Sequence, residues 1–218
     1  MTLQTFQELK AGLDIRAGGR IVAAINDAFP SGFPALDTAL SGGFPRGTVG
    51  TLEGAPSAGR TAILAKMLAH ATADGLAAVV DDGTLYPPHL ERAGVRLERL
   101  LIVPACKPVE CARSVDILLR SKAFALVAMA SVPLRGTVWS RLCGLAQKSG
   151  TLLIVTAQQP STELAYFAST RVRCGIDRVI WSQCGVFGEL SGYEMHAHVL
   201  KHKRAAPGAT AQLQIGAA

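Results

Sequence analysis

The sequence predicts an α/β fold, with a mostly parallel central sheet, helices on both faces and an antiparallel C-terminal extension. Three observations lead there. A glycine-rich loop, 54–61, stands between an apolar run at 48–52 and a helix-forming run at 62–69, the strand–loop–helix order of a phosphate-binding turn. Unbroken apolar runs at 76–80, 100–103, 124–130 and 151–157 alternate with helical patterns, as a parallel sheet covered on both faces requires. From residue 171 onward β-like runs follow one another without helices between them, which points to antiparallel strands added at one edge.

Taken in order, Leu3, Phe6, Leu9 and Leu13 recur near helical spacing, so 3–16 reads as a helix closed by Gly18 and Gly19. Residues 20–25, with Ile21, Val22 and Ile25, read as a strand too short to stand alone. This arm, 1–27, needs another surface to pack on, its own chain's or a neighbour's, and 28–218 form the core. Residues 30–34 make a turn and 34–40 a short helix ended by Ser41-Gly42-Gly43; Pro45-Arg46-Gly47 then turns into the strand before the loop. Helices are expected at 88–93, at 108–120 with Val109, Ala112, Val115, Leu118 and Leu119 on one face, and at 138–147. Strands at 171–181 and 195–200 flank an expected turn over 185–192, and a last strand spans 211–215.

At 218 residues, 49% hydrophobic and 17% charged, the chain is globular and long enough for one sizeable core. No apolar run approaches the roughly 20 residues of a membrane span, and residues 1–10 lack a secretory signal, so the expected location is the cytoplasm. Cys106, Cys111, Cys143, Cys174 and Cys184 show no C-x-x-C spacing and read as reduced thiols rather than a disulfide frame or a zinc site. The net charge of +6 comes without blocks of like charge. It permits contact with nucleic acid or an acidic partner without demanding one, a solvated basic surface being the alternative.

The loop reads Gly-Ala-Pro-Ser-Ala-Gly-Arg-Thr, the pattern G-x-x-x-x-G-K-[ST] with Arg60 where the lysine belongs. In an intact loop, backbone N–H groups and the helix N-terminus hold phosphates, the lysine reaches the β- and γ-phosphates, and the hydroxyl holds magnesium. Gly54, Ser57, Gly59, Arg60 and Thr61 are therefore the candidate anion-binding residues. Arg60 keeps the charge, but its planar fork cannot act as a compact point charge. The expectation is an anion cradle without catalytic competence, no required cofactor, and residual ATP binding left open. The alternative is a glycine-rich turn that only caps a helix.

Residues 31–37, 42–47, the loop itself, 93–101, 152–158, 199–207 and 214–215 together resemble the core of the RecA recombinases, over about residues 20 to 215. The resemblance implies a RecA-like P-loop ATPase core. It also makes the departures legible. Arg60 replaces the phosphate-binding lysine, and the strand ending at 130 looks like the family's second nucleotide motif with Ala130 in place of its magnesium-ordering aspartate. The acid that activates water in the family is at best Asp82, one methylene shorter; Asp81-Asp82 reads equally as a capping turn. The segments after Ser131 and Gln158 are short where the family has long DNA-gripping loops, and they lack a basic and aromatic mix. DNA binding is thus expected to be weak or indirect.

What the resemblance leaves in place is the contact surface between subunits. In the family an N-terminal helix and strand reach onto the next protomer, and 3–25 looks like that arm, Ile21, Val22 and Ile25 lying on its strand. Lys201 and Lys203 match two lysines that reach a neighbour's ATP, a solvated basic turn being the alternative. An inactive RecA-like chain of this size resembles the ImuA proteins of bacterial damage-induced mutagenesis cassettes. That resemblance implies a non-catalytic accessory role in the SOS-type response and translesion mutagenesis, exerted through contacts with RecA, with ImuB and with an error-prone polymerase. A SulA-like cell-division inhibitor, a weak ATP-dependent repair ATPase and a direct DNA binder are the alternatives.

Overall fold

The computed structural model describes residues 28–184, 187–204 and 207–216. The expected arm, with Ile21, Val22 and Ile25, lies outside the described residues. The chain opens with β1 (Ala28–Phe29), α1 (Pro34–Ala39) and β2 (Phe44–Pro45), the two strands pairing antiparallel as a small ribbon. Then β3 (Val49–Glu53) leads through the glycine-rich loop into α2 (Arg60–Asp74). The alternation continues with β4 (Leu76–Asp81), α3 (Pro87–Arg92), β5 (Leu100–Pro104), α4 (Pro108–Ser121), β6 (Phe124–Ala130), α5 (Gly136–Ser149), β7 (Leu152–Ala157) and α6 (Thr162–Phe167). It closes with β8 (Thr170–Cys184), β9 (Phe187–His202) and β10 (Thr210–Gly216).

Among the described residues the main sheet has the order β10-β9-β8-β3-β7-β6-β4-β5. From β8 to β5 every neighbouring pair is parallel, while β9 and β10 are added antiparallel. Successive residues of a strand point to opposite faces, so the unbroken apolar runs serve two cores at once. Leu126, Ala128, Leu152 and Ile154 face a core built with α1, α2 and α3, whereas Val127, Met129, Leu153 and Val155 face one built with α4, α5 and α6. This is the mostly parallel, two-faced sheet with an antiparallel edge that the sequence predicts.

Three expectations need correction. Helix α4 is rotated from its expected face: Cys111, Val115, Leu118 and Leu119 are buried, but Val109 is 65% exposed. The small Cys111 side chain packs under the strands, donating to the Ala105 carbonyl at 3.4 Å. The expected turn over 185–192 is mostly strand, because Phe187–Gly192 pairs residue by residue with Ile180–Cys184 across a bulge. Third, α6 forms where only turns were expected, with the Ser161 hydroxyl accepting from Leu164 N–H at 3.2 Å as its N-cap.

Candidate functional site

The loop between β3 and α2 owes its shape to backbone conformations that ordinary residues resist. Gly54 has φ +148° and Gly59 φ +84°. A Cβ on Gly54 would lie 2.6 Å from the Cys174 carbonyl oxygen, and one on Gly59 would lie 2.6 Å from the Met195 sulfur. Both glycines are therefore set by the strands β8 and β9 packed beneath the loop. Gly59 is the N-cap of α2, whose first turn carries neither a side-chain cap nor an acid. Its leading N–H groups and positive dipole end stand open toward the loop, the chemistry of an anion cradle.

A cavity of about 460 Å³ opens over this turn. Ser57, Gly59, Arg60 and Thr61 line it from the loop, with His89 of α3 and Tyr193 of β9 opposite. Gly54 shapes the loop from behind. Arg60 makes no hydrogen bond or ion pair among the described residues. Burial pushes the neighbouring Cys174 thiol up to about 12, against the pull of the Arg60 charge, so that thiol stays protonated.

Ala130 and Asp82, the other two positions expected from the resemblance, do not line this cavity. Ala130 ends β6 as an exposed methyl, two strand spacings or about 10 Å from β3 in the sheet. Asp82 follows β4, a further spacing away, and is exposed; its charge is felt instead at Cys111 on α4. Asp81 is a turn cap, accepting from Gly83 and Leu85 N–H at 2.9 Å each and from the Thr84 hydroxyl at 3.1 Å. The loop fits an anion such as phosphate. The end of β6 supplies no carboxylate to order a magnesium ion beside it.

A charged pair under the loop escaped the sequence reading. Glu53, 1% exposed at the end of β3, accepts from Arg171 Nε at 2.6 Å and from Arg171 Nη2 at 3.0 Å, and from the Thr51 hydroxyl at 2.7 Å. A lone acid closing an apolar strand is the signal that would have flagged it, since such a charge needs a partner inside. Its bidentate partner sits across the parallel β3–β8 pairing, which only the topology reveals.

Lys201 and Lys203 lie at the far end of the sheet from the loop, and their situations differ. Lys201 Nζ donates to the carbonyls of Ala165 at 3.0 Å and Tyr166 at 2.9 Å, tying β9 to the C-terminal turn of α6. Burial first, then the nearby Lys203 and Arg171 charges, hold its pKa below the usual lysine range. Lys203 is exposed, and its backbone N–H donates to Ser169 O at 3.0 Å.

Against known proteins, residues 38–161 match the family model described as the MT3502 N-terminal domain. The chain belongs to this family and is RecA-like. It is 35% identical over 124 residues to protein RecA of Nocardioides sp., covering 56% of this chain and 35% of that one. It is 28% identical over 229 residues to protein RecA of Thermus thermophilus, covering 87% of this chain and 66% of the relative. The chain thus spans roughly a third to two thirds of the length of the RecA proteins it matches. A crystal structure of the RadB recombinase superposes with a TM-score of 0.66 at 20% identity, over 84% of this chain and 94% of that one, which establishes the fold. In this RecA-like frame the matched family region runs from α1 to just beyond β7, and the β8–β10 edge lies outside it. No described helix is long and apolar enough to cross a membrane.

Proposed function

We propose that this RecA-like chain is a non-catalytic accessory protein of the DNA-damage response and translesion mutagenesis, an ImuA-type protein that works in the cytoplasm through protein contacts. The observation carrying this reading is the residue content at the nucleotide positions: Arg60 stands in the loop where the pattern has lysine, and Ala130 ends β6 without a carboxylate. Phosphoryl chemistry in such folds needs the cation, the metal-ordering carboxylate and the water-activating acid converged on one phosphate. In this reading the chain keeps the anion cradle and lacks the metal-ordering carboxylate at Ala130.

The contact partner in this reading is RecA, together with an ImuB-type protein and an error-prone polymerase. A head-to-tail filament grows only while each added unit presents both faces. A unit that joins one end and cannot cycle nucleotide stops growth, lowers recombination and favours bypass synthesis. Pull-down of RecA by the full chain, compared with a chain lacking residues 1–25, tests the contact: retention that falls without the arm supports it, and no retention by either overturns the RecA part. Steady-state phosphate release tests the chemistry. Turnover only in an Arg60→Lys, Ala130→Asp double variant supports decay from an active ancestor, whereas turnover in the natural chain overturns the non-catalytic reading and favours a weak ATPase using the open loop cavity.

A further inference from the structure

At the foot of the sheet, where β3 and β8 begin and β9 ends, a second and larger cavity of about 940 Å³ is lined by Arg46, Lys201, Lys203 and Arg204. It lies at the opposite end of β3 from the glycine-rich loop, about 16 Å away along a strand of that length. Among the described residues no Asp or Glu lines it. The cations come from two separate pieces of chain, and two of them are pre-positioned. Arg46 is held with its guanidinium 5.0 Å over the Phe29 ring, and Lys201 is held by the α6 carbonyls. The remaining wall is mixed: Tyr166, 74% exposed, stands edge-on to Phe167 at 5.1 Å, beside Val49 and Gly144.

We infer that this groove is a docking site for an acidic, partly apolar peptide segment of a partner protein. The charge decides the sign of the occupant: Arg46, Lys201 and Lys203 line one concavity with no acid among the described residues, which lowers the energy of an anion placed there and repels a basic one. The last turn of α5 decides between a peptide and a nucleic acid. Gln147 and the C-cap Gly150 line the groove, so the α5 C-terminus, with its negative dipole pole, borders it. A peptide brings carboxylates for the cations and backbone N–H donors for the negative helix end. A phosphodiester backbone brings acceptors alone and meets the negative pole unfavourably. Tyr166 and Phe167 then receive an apolar side chain between the acids, as aromatic residues do at protein interfaces.

This inference rests on the reading of the chain as one that acts by contact, and its test is separate from RecA capture. The probe is a fluorescein-labelled peptide of alternating Asp and Leu, followed by fluorescence anisotropy on the full chain at low and high salt. Saturable binding that weakens with salt, that weakens about tenfold or more in Lys203→Glu, and that is unchanged in Arg60→Ala supports the site. Lys203 is exposed, so circular dichroism is expected to match the natural chain; a combined Arg46→Gln, Lys203→Gln variant gives the same reading without charge reversal. Equal binding of an Asn-Leu peptide, or binding indifferent to both variants, overturns it. Binding of a labelled oligothymidylate that Lys203→Glu abolishes, with the peptide left unbound, overturns it in favour of nucleic acid. Loss of the groove result with RecA retention intact removes this site and leaves the proposed function standing.

Discussion

At the scale of single residues, the strongest commitment in the molecule is the ion pair beneath the glycine-rich loop. Glu53 is buried and bonded three times, twice by the fork of Arg171 and once by Thr51, so its charge is compensated in full. Such a pair adds little compared with a well-packed apolar replacement, but removing one partner strands the other charge in the interior. Arg171→Ala is therefore expected to lower unfolding free energy by about 3 kcal/mol, measured by urea denaturation, and to shift the midpoint rather than the slope. An unchanged midpoint would mean that water reaches Glu53. Arg60 is the contrast: it lines a cavity, has no ion-pair partner among the described residues, and stands where the pattern G-x-x-x-x-G-K-[ST] has lysine.

At the scale of elements, the loop is held open by what packs behind it rather than by its own sequence. Cys174 on β8 and Met195 on β9 close on Gly54 and Gly59. The two contacts differ in kind, since a methionine end can swing aside and a strand carbonyl cannot. Gly54→Ala is expected to cost about 2 kcal/mol or more, combining a strained φ with a backbone clash, and thermal unfolding would report it as a lower Tm. This coupling explains what could be read from the chain. The β3–loop–α2 unit was legible because its signals are local: apolar run, glycines, helix. The central strands were legible because both faces are buried and the runs are unbroken. The face of α4 was misjudged because Val109 satisfies helical spacing as well as Cys111 does, and only tertiary packing chooses between them. The Glu53–Arg171 pair and the carbonyl tie of Lys201 join residues far apart in sequence, so no window of sequence displays them. The length of the β8–β9 hairpin was missed because Gly185, Gly188 and Gly192 look like one long turn. In the structure Gly192 is instead required inside a strand, where a Cβ would lie 2.4 Å from the Ile215 carbonyl oxygen.

At the scale of the whole molecule, β8 belongs to two regimes. Its first residues, Thr170–Arg173, are clamped between β3 and β9, while everything beyond them is paired with β9 alone. Beyond Ile180 the hairpin is a two-stranded ribbon, because β10 pairs only with Gly192–His198 of β9, and such a ribbon opens more readily than strands inside a sheet. Native-state hydrogen exchange is expected to show amides of Val172 and Leu52 opening only with global unfolding. Amides of Trp181 and Ser182 are expected to exchange many times faster through local opening. Equal protection along all of β8 would show that the ribbon is braced by something other than β9. The exposed Trp181 and Phe187 ride on this looser part, away from the ion pair and the loop.

A strand shared in this way divides what packing holds fixed from what is free to change. Lengthening, shortening or re-decorating the distal ribbon leaves untouched the hydrogen bonds that seat the glycine loop. Descendants of this fold can therefore exchange the outer half of the hairpin like a tool on a common handle, acquiring a new recognition preference without refolding the grip.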